Sequence, residues 1–239
     1  MRLMSLFPFF ISCALALLSM LAAPAFAAPG ALPDTLAQRL LACTSCHAAK
    51  EYREAFFPHI AGKPAGYLYN QLVNFREGRR QYPLMTYMVD HLPDAYLREI
   101  AQYFSQLPPA TVPAQATTMS TTALARGRTL ATLGDPAIDV PACIACHGQK
   151  LTGVAPAIPG LLGLPRDYIN AQFGAWRNHV RRTNAPDCMG LIANRLSNQD
   201  VAAVSSWLAT QPMPLDARPA AASATPLPIR CGGMTDGGN

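Results

Sequence analysis

One five-residue motif occurs twice in the chain and constrains its fold more than any other feature. The motif is Cys-x-x-Cys-His, and its copies occupy residues 43–47 and 143–147. It is the attachment signature of c-type haem, in which two thiols bind the vinyl groups and the adjacent histidine binds the iron. The sequence therefore predicts two covalently bound haem c groups. The predicted attachment residues are Cys43, Cys46, Cys143 and Cys146, and the predicted proximal iron ligands are His47 and His147.

Three other uses of these cysteines compete with haem attachment. A redox dithiol does not require a histidine directly after both motifs. A zinc site of four thiolates would give the two histidines no role, and a catalytic zinc needs an open coordination position. Two tight disulfides are the third alternative. The recurrence of the complete motif at an offset of 100 residues favours haem.

The first 27 residues have the pattern of a secretory signal. Arg2 precedes a long apolar run, and Ala25 and Ala27 form an A-x-A cleavage site. We predict that residues 1–27 are a signal peptide and that the mature protein is periplasmic. A retained membrane anchor is the alternative, and a lipoprotein signal at Cys13 is a weaker one. The exported cysteines would then lie in an oxidising compartment.

Charge and composition exclude two classes of function. The 239 residues carry a formal net charge of +5 without a dense basic run, which argues against a nucleic-acid-binding protein. No glycine-rich phosphate loop of the P-loop or dinucleotide kind is present, so no nucleotide site is predicted. Half of the residues are hydrophobic, a share too large for intrinsic disorder.

The two motifs lie in two copies of a longer sequence. Matching residues keep their order at offsets of 98 to 104. The clearest pairs are Gly62 with Gly160, Tyr67 with Tyr168, Gln71 with Gln172, Arg76 with Arg177, Met85 with Met189, and Leu92 with Leu196. We therefore predict tandem domains at 28–108, the first copy, and at 123–212, the second copy. A Pro/Ala/Thr-rich linker is expected at 109–122, and a Pro/Gly-rich tail without regular structure at 213–239.

Each copy has the apolar spacing of α-helices. Leu97, Ile100, Ala101 and Phe104 recur at i, i+3, i+4 and i+7, which places them on one helix face. No strand pattern of useful length occurs, so the predicted fold class is all-α, with each domain wrapped around one haem. A domain of roughly 85 residues is marginal for a purely apolar core. We therefore expect the protein without haem to be poorly folded.

Methionines are the first candidates for the distal iron ligands. Met85 and Met189 each lie seven residues before a matched leucine, whereas Met88 has Ile192 at its corresponding position. We therefore predict Met85 and Met189 as distal ligands and Met88 as a core residue, with core packing as the alternative for either ligand. A thioether raises the reduction potential, and six-coordinate iron favours electron transfer. The remaining histidines are expected at the surface or in hydrogen bonds: His59, His91 and His179.

Two arginines recur beside aromatic residues on a predicted helix. Arg76 follows Phe75, and Arg177 follows Trp176. Core packing or packing between the domains is favoured for the aromatic residues. For the arginines two interpretations stay open, namely packing and contact with haem propionates, because a guanidinium binds carboxylates in a bidentate manner.

Two cysteines, Cys188 and Cys231, have no counterpart in the first copy. An even pair in an oxidising compartment predicts a disulfide. This bridge would tie the tail across the loop that carries Met189, and we hypothesise that it limits loss of that ligand. The alternatives are a reactive thiol or ligation of the second iron by cysteine.

Taken together, these residues resemble the dihaem cytochrome c4 family. The matching elements are the two Cys-x-x-Cys-His motifs, residues 57–62, the pattern from Tyr67 to Arg80, and Pro83-x-Met85. The match is good at about 42–108 and looser at 125–212. The segment Pro186-Asp187-Cys188-Met189 and the Cys-bearing tail that follows depart from the usual pattern of the family. The resemblance implies two tandem class I cytochrome c domains with His/Met-ligated haems and a role in periplasmic electron transfer.

The predicted function is that of a dihaem electron carrier rather than an enzyme, so no catalytic residues are expected. It would carry electrons from a dehydrogenase or quinol-oxidising complex to a terminal oxidase or reductase. The alternatives are a cytochrome subunit of a periplasmic dehydrogenase and a dihaem peroxidase or thiosulfate-oxidising enzyme. The expected partners are redox proteins and not nucleic acid, with membrane contact only through partners unless the signal is retained.

Overall fold

The computed structural model describes residues 35–47 and 56–234. The predicted signal peptide at 1–27 lies outside the described residues. The chain separates into two compact units, residues 1–39 and 40–239. Within the first unit, the described residues form helix α1, Leu36–Arg39. The other helices and strands belong to the second unit.

The first copy contributes four described helices to the second unit. They are α2, Leu41–His47; α3, Ala65–Arg76; α4, Pro83–Val89; and α5, Asp94–Gln106. Pro83 stands at the start of α4, where its fixed φ suits the first helical turn. Asp94 lies in the first turn of α5, where a carboxylate complements the helix dipole. Helix α3 packs against both α4 and α5, so these three helices form the body of the first copy.

The second copy repeats this order with a longer opening helix. Its helices are α6, Thr121–Thr132; α7, Cys143–His147; α8, Arg166–Arg177; α9, Cys188–Arg195; and α10, Asn198–Thr210. A 3₁₀ turn at Pro136–Ile138 precedes α7, and two-residue strands β1, Gly153–Val154, and β2, Ile158–Pro159, pair antiparallel after it. Side-chain caps at Ser120, Asp187 and Ser197 begin α6, α9 and α10.

Helices α6 and α10 cross closely in the second copy. A Cβ at Gly127 would lie 2.3 Å from the carbonyl oxygen of Ala203, so glycine permits this approach. The buried core beside the crossing includes Leu130, Val204 and Leu208. In the first copy, the corresponding core lies between α3 and α5 and is made by Leu68, Leu97, Ile100 and Phe104.

The two copies are joined by backbone hydrogen bonds. An antiparallel bridge pairs Arg80 with Arg181. The amide of Gln81 donates to the carbonyl of Val180 at 2.7 Å, and the amide of Arg182 donates to Arg79 at 2.7 Å. Both copies therefore lie in one compact unit, and the domain boundaries at 28–108 and 123–212 stay a prediction.

Among the described residues after α10, the one regular helical element is a 3₁₀ turn at Gly232–Met234, and the rest of the predicted tail, 235–239, lies outside the described residues. The described part of the tail is nevertheless fixed to both copies. Ala220 exchanges backbone hydrogen bonds with the β1 region of the second copy, and the side-chain amide of Asn70 in the first copy donates to the carbonyl of Gly233 at 2.8 Å. Within the described ranges, no helix is long and apolar enough to cross a membrane.

Candidate cofactor site

One continuous cavity of about 1050 Å³ extends through both copies, with mainly apolar walls. Pockets for a single small molecule usually measure about 300–1,000 Å³, so this cavity has room for more than one such group. All eight residues predicted to attach or ligate haem line it: Cys43, Cys46, His47, Met85, Cys143, Cys146, His147 and Met189.

The two motif histidines are held in the same way. The Nδ1 of His47 donates to the carbonyl oxygen of Pro58 and that of His147 donates to Pro159, each at 2.8 Å. Burial lowers the pKa of both imidazoles, although the hydrogen bonds partly oppose it. Both rings are therefore neutral, with Nε2 left as the nitrogen able to bind a metal.

The four motif cysteines are not joined in disulfides. Burial raises the pKa of the Cys143 thiol to about 11, and it also raises the pKa of Cys43 and Cys146. A redox dithiol needs a thiolate and hence a lowered pKa, so these directions argue against that alternative. In the part of the chain that the structure describes, no three His, Cys, Asp or Glu side chains converge on a possible metal site.

The two predicted distal methionines lie on matched helices. Met85 is on α4 and Met189 is on α9, and Met189 also packs against the second core. Met88 lines the same cavity one helical turn after Met85. The structure thus brings each candidate ligand to the wall of the cavity, and the choice of Met85 over Met88 stays a prediction.

The arginines singled out from the sequence do not line the cavity. Arg76 donates to the carbonyl of Leu92 at 2.9 Å and to the carboxylate of Asp94 at 2.6 Å. Arg177 donates to three acceptors at the matched place, the carbonyls of Ala193 and Leu196 and the side chain of Asn198. Each arginine ties the end of its methionine helix to the start of the next helix. Their contact with propionates stays a prediction that this arrangement does not favour.

A second pair of arginines lies at the cavity where the copies meet. Arg80 donates to the side-chain oxygens of Gln71 at 2.9 Å and Gln172 at 3.0 Å. Arg181 donates to the same two oxygens, at 3.1 Å and 2.7 Å. Arg80 also donates to the hydroxyl of Tyr168 at 3.0 Å. Sequence reasoning missed this pairing, although Arg80 and Arg181 are separated by 101 residues, the offset of the matched tyrosines and glutamines.

Burial works against the charge on both guanidinium groups. At Arg80, the nearby Tyr168 and Tyr67 outweigh burial, and the pKa is raised. At Arg181, burial and the charge of Arg80 prevail, and the pKa is lowered. Burial raises the pKa of the Tyr168 hydroxyl, but the two guanidinium charges outweigh it and lower that pKa overall. The arginines remain charged, since the pKa of arginine starts above 12.

The cavity wall carries cations without a matching carboxylate. Arg80, Arg181 and Lys63 all line it, and among the described residues none of them forms an ion pair with an acid. The two carboxylates of the wall bind other groups: Glu77 forms an ion pair with Arg79, and Asp187 accepts hydrogen bonds from two backbone N–H groups. Buried cations need an anion. A cofactor that brings its own carboxylates, as haem does, fits this site.

The predicted disulfide is present between Cys188 and Cys231. It joins the first residue of α9 to the tail just before the Gly232–Met234 turn. Leu227, Ile229 and Met234 of the tail line the cavity beside Met189. The bridge therefore holds the tail against the second methionine helix, and the first copy has no such cover among the described residues.

Comparison with known proteins agrees with this site. No protein-family model matches the chain. Cytochrome c4 of Pseudomonas aeruginosa is 34% identical over 170 residues, which are 70% of this chain and 82% of that protein. The chain belongs to the cytochrome c4 family. It is an electron-transfer protein with an all-α fold and two covalent haem c groups.

Two further relatives of this cytochrome are connected with thiosulfate. The thiosulfate dehydrogenase electron acceptor of Thiomonas intermedia is 37% identical over 173 residues, which are 72% of this chain and 79% of that protein. The solved thiosulfate dehydrogenase TsdBA from Marichromatium purpuratum is similar with a TM-score of 0.64 and 33% identity over 71% of this chain. This cytochrome spans only 36% of that longer chain.

Proposed function

We propose that this cytochrome is a periplasmic electron acceptor for a thiosulfate dehydrogenase and passes the electrons to a terminal oxidase or reductase. The relative that is 37% identical and named a thiosulfate dehydrogenase electron acceptor carries the proposal. Oxidative coupling of two thiosulfate ions releases two electrons, the number that two haems hold together. The signal pattern at 1–27 supports export to the periplasm.

Each haem is held by its own copy of the repeat. In the first copy, Cys43 and Cys46 form the thioethers, while His47 and Met85 bind the iron. In the second copy, the same roles fall to Cys143, Cys146, His147 and Met189. The lining of the cavity and the two Nδ1–H donors, which leave Nε2 for iron, support this assignment. His/Met-ligated haem supplies a one-electron couple of raised potential.

At the joint between the copies, Arg80 and Arg181 would hold propionates of the two haems. Arg181 offers a buried guanidinium group there and Arg80 a half-buried one, and no acid of the described residues pairs with either. The matched hydroxyls of Tyr67 and Tyr168 stand beside them. The chain's own residues would thus provide positive charge for the cofactor's carboxylates.

The donor is tested by mixing oxidised holoprotein with a thiosulfate dehydrogenase and following haem absorbance in a stopped-flow instrument. Thiosulfate should trigger reduction of both haems, whereas the dehydrogenase alone should not. An unrelated c-type cytochrome of similar potential serves as the control acceptor. Reduction no faster than that of the control would refute a dedicated partnership and turn attention to a quinol-oxidising donor.

A cytochrome subunit of a permanent dehydrogenase complex is the second candidate. Its specific support is that the similar region of TsdBA is part of a longer chain named a thiosulfate dehydrogenase. Affinity purification of the cytochrome from its own cells distinguishes the two. A stoichiometric large chain that survives high salt indicates a subunit, and isolation of the cytochrome alone indicates a mobile carrier.

A further inference from the structure

Two buried side-chain donors in the described residues lack a hydrogen-bond partner, and both belong to the second copy. They are Nε1 of Trp176 and Nε of Arg181. The two side chains are in contact, because the Arg181 guanidinium carbon lies 4.0 Å from the centre of the Trp176 ring. Both residues also line the cavity. An unsatisfied buried donor is rare and costly, so two adjacent ones indicate an acceptor that the polypeptide does not supply.

The nearby acceptors of the chain are already in use. Arg181 directs its two terminal nitrogens to Gln172 and Gln71, which leaves only Nε. The two carboxylates of the wall, Glu77 and Asp187, are engaged elsewhere. An indole N–H and a guanidinium N–H side by side match a carboxylate, which offers two oxygens and opposes the positive charge.

We propose that Trp176 Nε1 and Arg181 Nε bind one propionate carboxylate of the second haem. This inference rests on the proposed function, in which His147 and Met189 hold that haem. The haem remains anchored by its thioethers without this contact. The two N–H donors therefore affect the charge of the propionate and not the attachment of the haem. They partly neutralise the negative charge near the second iron.

The first copy has no indole at the matched position. Phe75 takes the place of Trp176 at the same offset of 101, and Arg80 stacks over the phenyl ring at 4.6 Å. The stacking of arginine on an aromatic ring is thus repeated, while the N–H donor is not. The indole donor consequently favours reduction at the second haem only, since a neutralised propionate stabilises ferric charge less.

The repeat itself supplies the test variants. Trp176→Phe gives the second copy the phenylalanine that the first copy has at the matched position. Trp207→Phe on α10, which removes the chain's other tryptophan, is the matched control. Spectroelectrochemical titration should show that Trp176→Phe lowers the reduction equilibrium constant of one haem about tenfold, which is about 59 mV for one electron. The other haem and both haems of Trp207→Phe should keep their potentials.

A second measurement uses the unmodified holoprotein. With ¹⁵N-labelled tryptophan, the reduced protein has two indole N–H signals, which Trp207→Phe assigns. The Trp176 signal should exchange slowly with solvent and move when the iron is oxidised. The number of haems per chain, expected to be two, distinguishes failure of this inference from failure of the proposed haem site. If Trp176→Phe binds two haems with unshifted potentials and the Trp176 indole of the unmodified protein exchanges rapidly, the propionate contact is refuted but the proposed haem site is not. If the second haem is missing from the unmodified protein, the proposed site itself is refuted.

Discussion

The two copies share one helical order but differ in how their methionine helices are covered. On α4 of the first copy, the side chains of Leu84 and Tyr87 are 49% and 79% exposed. Helix α9 of the second copy begins at a disulfide, and Ile229 of the attached tail packs against the core beneath it. Each copy thus has the same predicted ligands in a different environment.

This difference shows which contacts the two copies of the repeat share and which belong to one copy only. The hydrogen bonds of the motif histidines are repeated, and so is the bond from Arg76 or Arg177 to the carbonyl of the matched leucine. The disulfide and the tail have no counterpart, and they lie over the second site. The surroundings of a haem tune its potential without a change of its ligands, so we expect the two copies to diverge in potential.

Loss of one haem should have the largest effect. In the Cys43→Ala/Cys46→Ala and Cys143→Ala/Cys146→Ala variants, haem content should fall from two to one per chain. The affected copy should lose cooperative unfolding because the haem provides much of its apolar interior. Absorption of the pyridine haemochrome and circular dichroism measure both effects. Near-native dichroism in a variant lacking both haems would contradict this.

Loss of a distal methionine should change one potential strongly. Met85→Ala and Met189→Ala should each lower the potential of their own haem on the order of 0.2 V, within the range of about 0.8 V that axial ligands span. Redox titration resolves the two haems. Met88→Ala is the matched control, and a large shift in that variant instead would make Met88 the ligand of the first iron.

Removal of the disulfide should affect the second copy more than the first. The bridge closes a separation of 43 residues, and a loop of that length contributes about 4 kcal/mol to stability in the chain-entropy model. Cys188→Ser/Cys231→Ser should therefore lower the unfolding midpoint of the second haem and open it to carbon monoxide. Guanidinium titration followed at each haem measures the loss. Equal weakening of both copies would show that the tail stabilises the joint rather than the second site.

Loss of either glutamine at the joint between the copies should lower the stability of the protein by a similar amount. Gln71→Leu and Gln172→Leu each remove an oxygen that accepts from both Arg80 and Arg181. Each change should cost about 1–3 kcal/mol, because buried charged donors lose an acceptor. Denaturation of both single variants and the double variant tests this, with a non-additive double variant expected for one shared network. Additive losses would mean two independent contacts.

The smallest effect is the pH dependence that Asp94 contributes to the stability of the first copy. Arg76, with the Tyr69 hydroxyl, holds the pKa of Asp94 below its usual value of 3.8, whereas Arg177 meets the neutral Asn198 at the matched position. A lowered folded-state pKa contributes stability above the unfolded pKa and loses it as the pH falls through the folded value. Protonation of Asp94 below about pH 4 should therefore remove this contribution from the stability of the first copy.

The matched substitutions Asp94→Asn and Asn198→Asp test the origin of that pH dependence. The first should remove it from the first copy, and the second should introduce it in the second copy. Unfolding midpoints measured at each haem between pH 3 and 6 provide the readout. An unchanged acid response in Asp94→Asn would assign the pH dependence to other carboxylates.

Local sequence patterns predicted much of this structure. The apolar spacing that includes Leu97 and Phe104 lies on α5, and the proline pair at 108–109 follows the end of that helix. The motif residues and both methionines line one cavity, because the repeat preserves their spacing to the helices. The pairing of Cys188 with Cys231 was predicted because they are the two cysteines that remain outside the haem motifs once the predicted signal peptide, with Cys13, is set aside.

The periodicity of apolar residues in the sequence did not predict the contacts between distant segments. The pairing of Arg80 with Arg181 depends on how the two copies meet, although their common offset of 101 was a usable signal. The tail is held by backbone hydrogen bonds at Ala220 and by apolar side chains spread along an irregular segment. Such a segment has no period, so its path follows only from the surface it covers.

The optical spectrum of the purified holoprotein tests the central claim most directly, namely one His/Met haem in each copy. The oxidised protein should show a far-red methionine–iron charge-transfer band of the strength expected for two haems. Met85→Ala and Met189→Ala should each remove half of it, and carbon monoxide should leave the reduced wild-type spectrum unchanged. A weak band together with a carbon monoxide response would mean that one iron has an open site and would contradict the account.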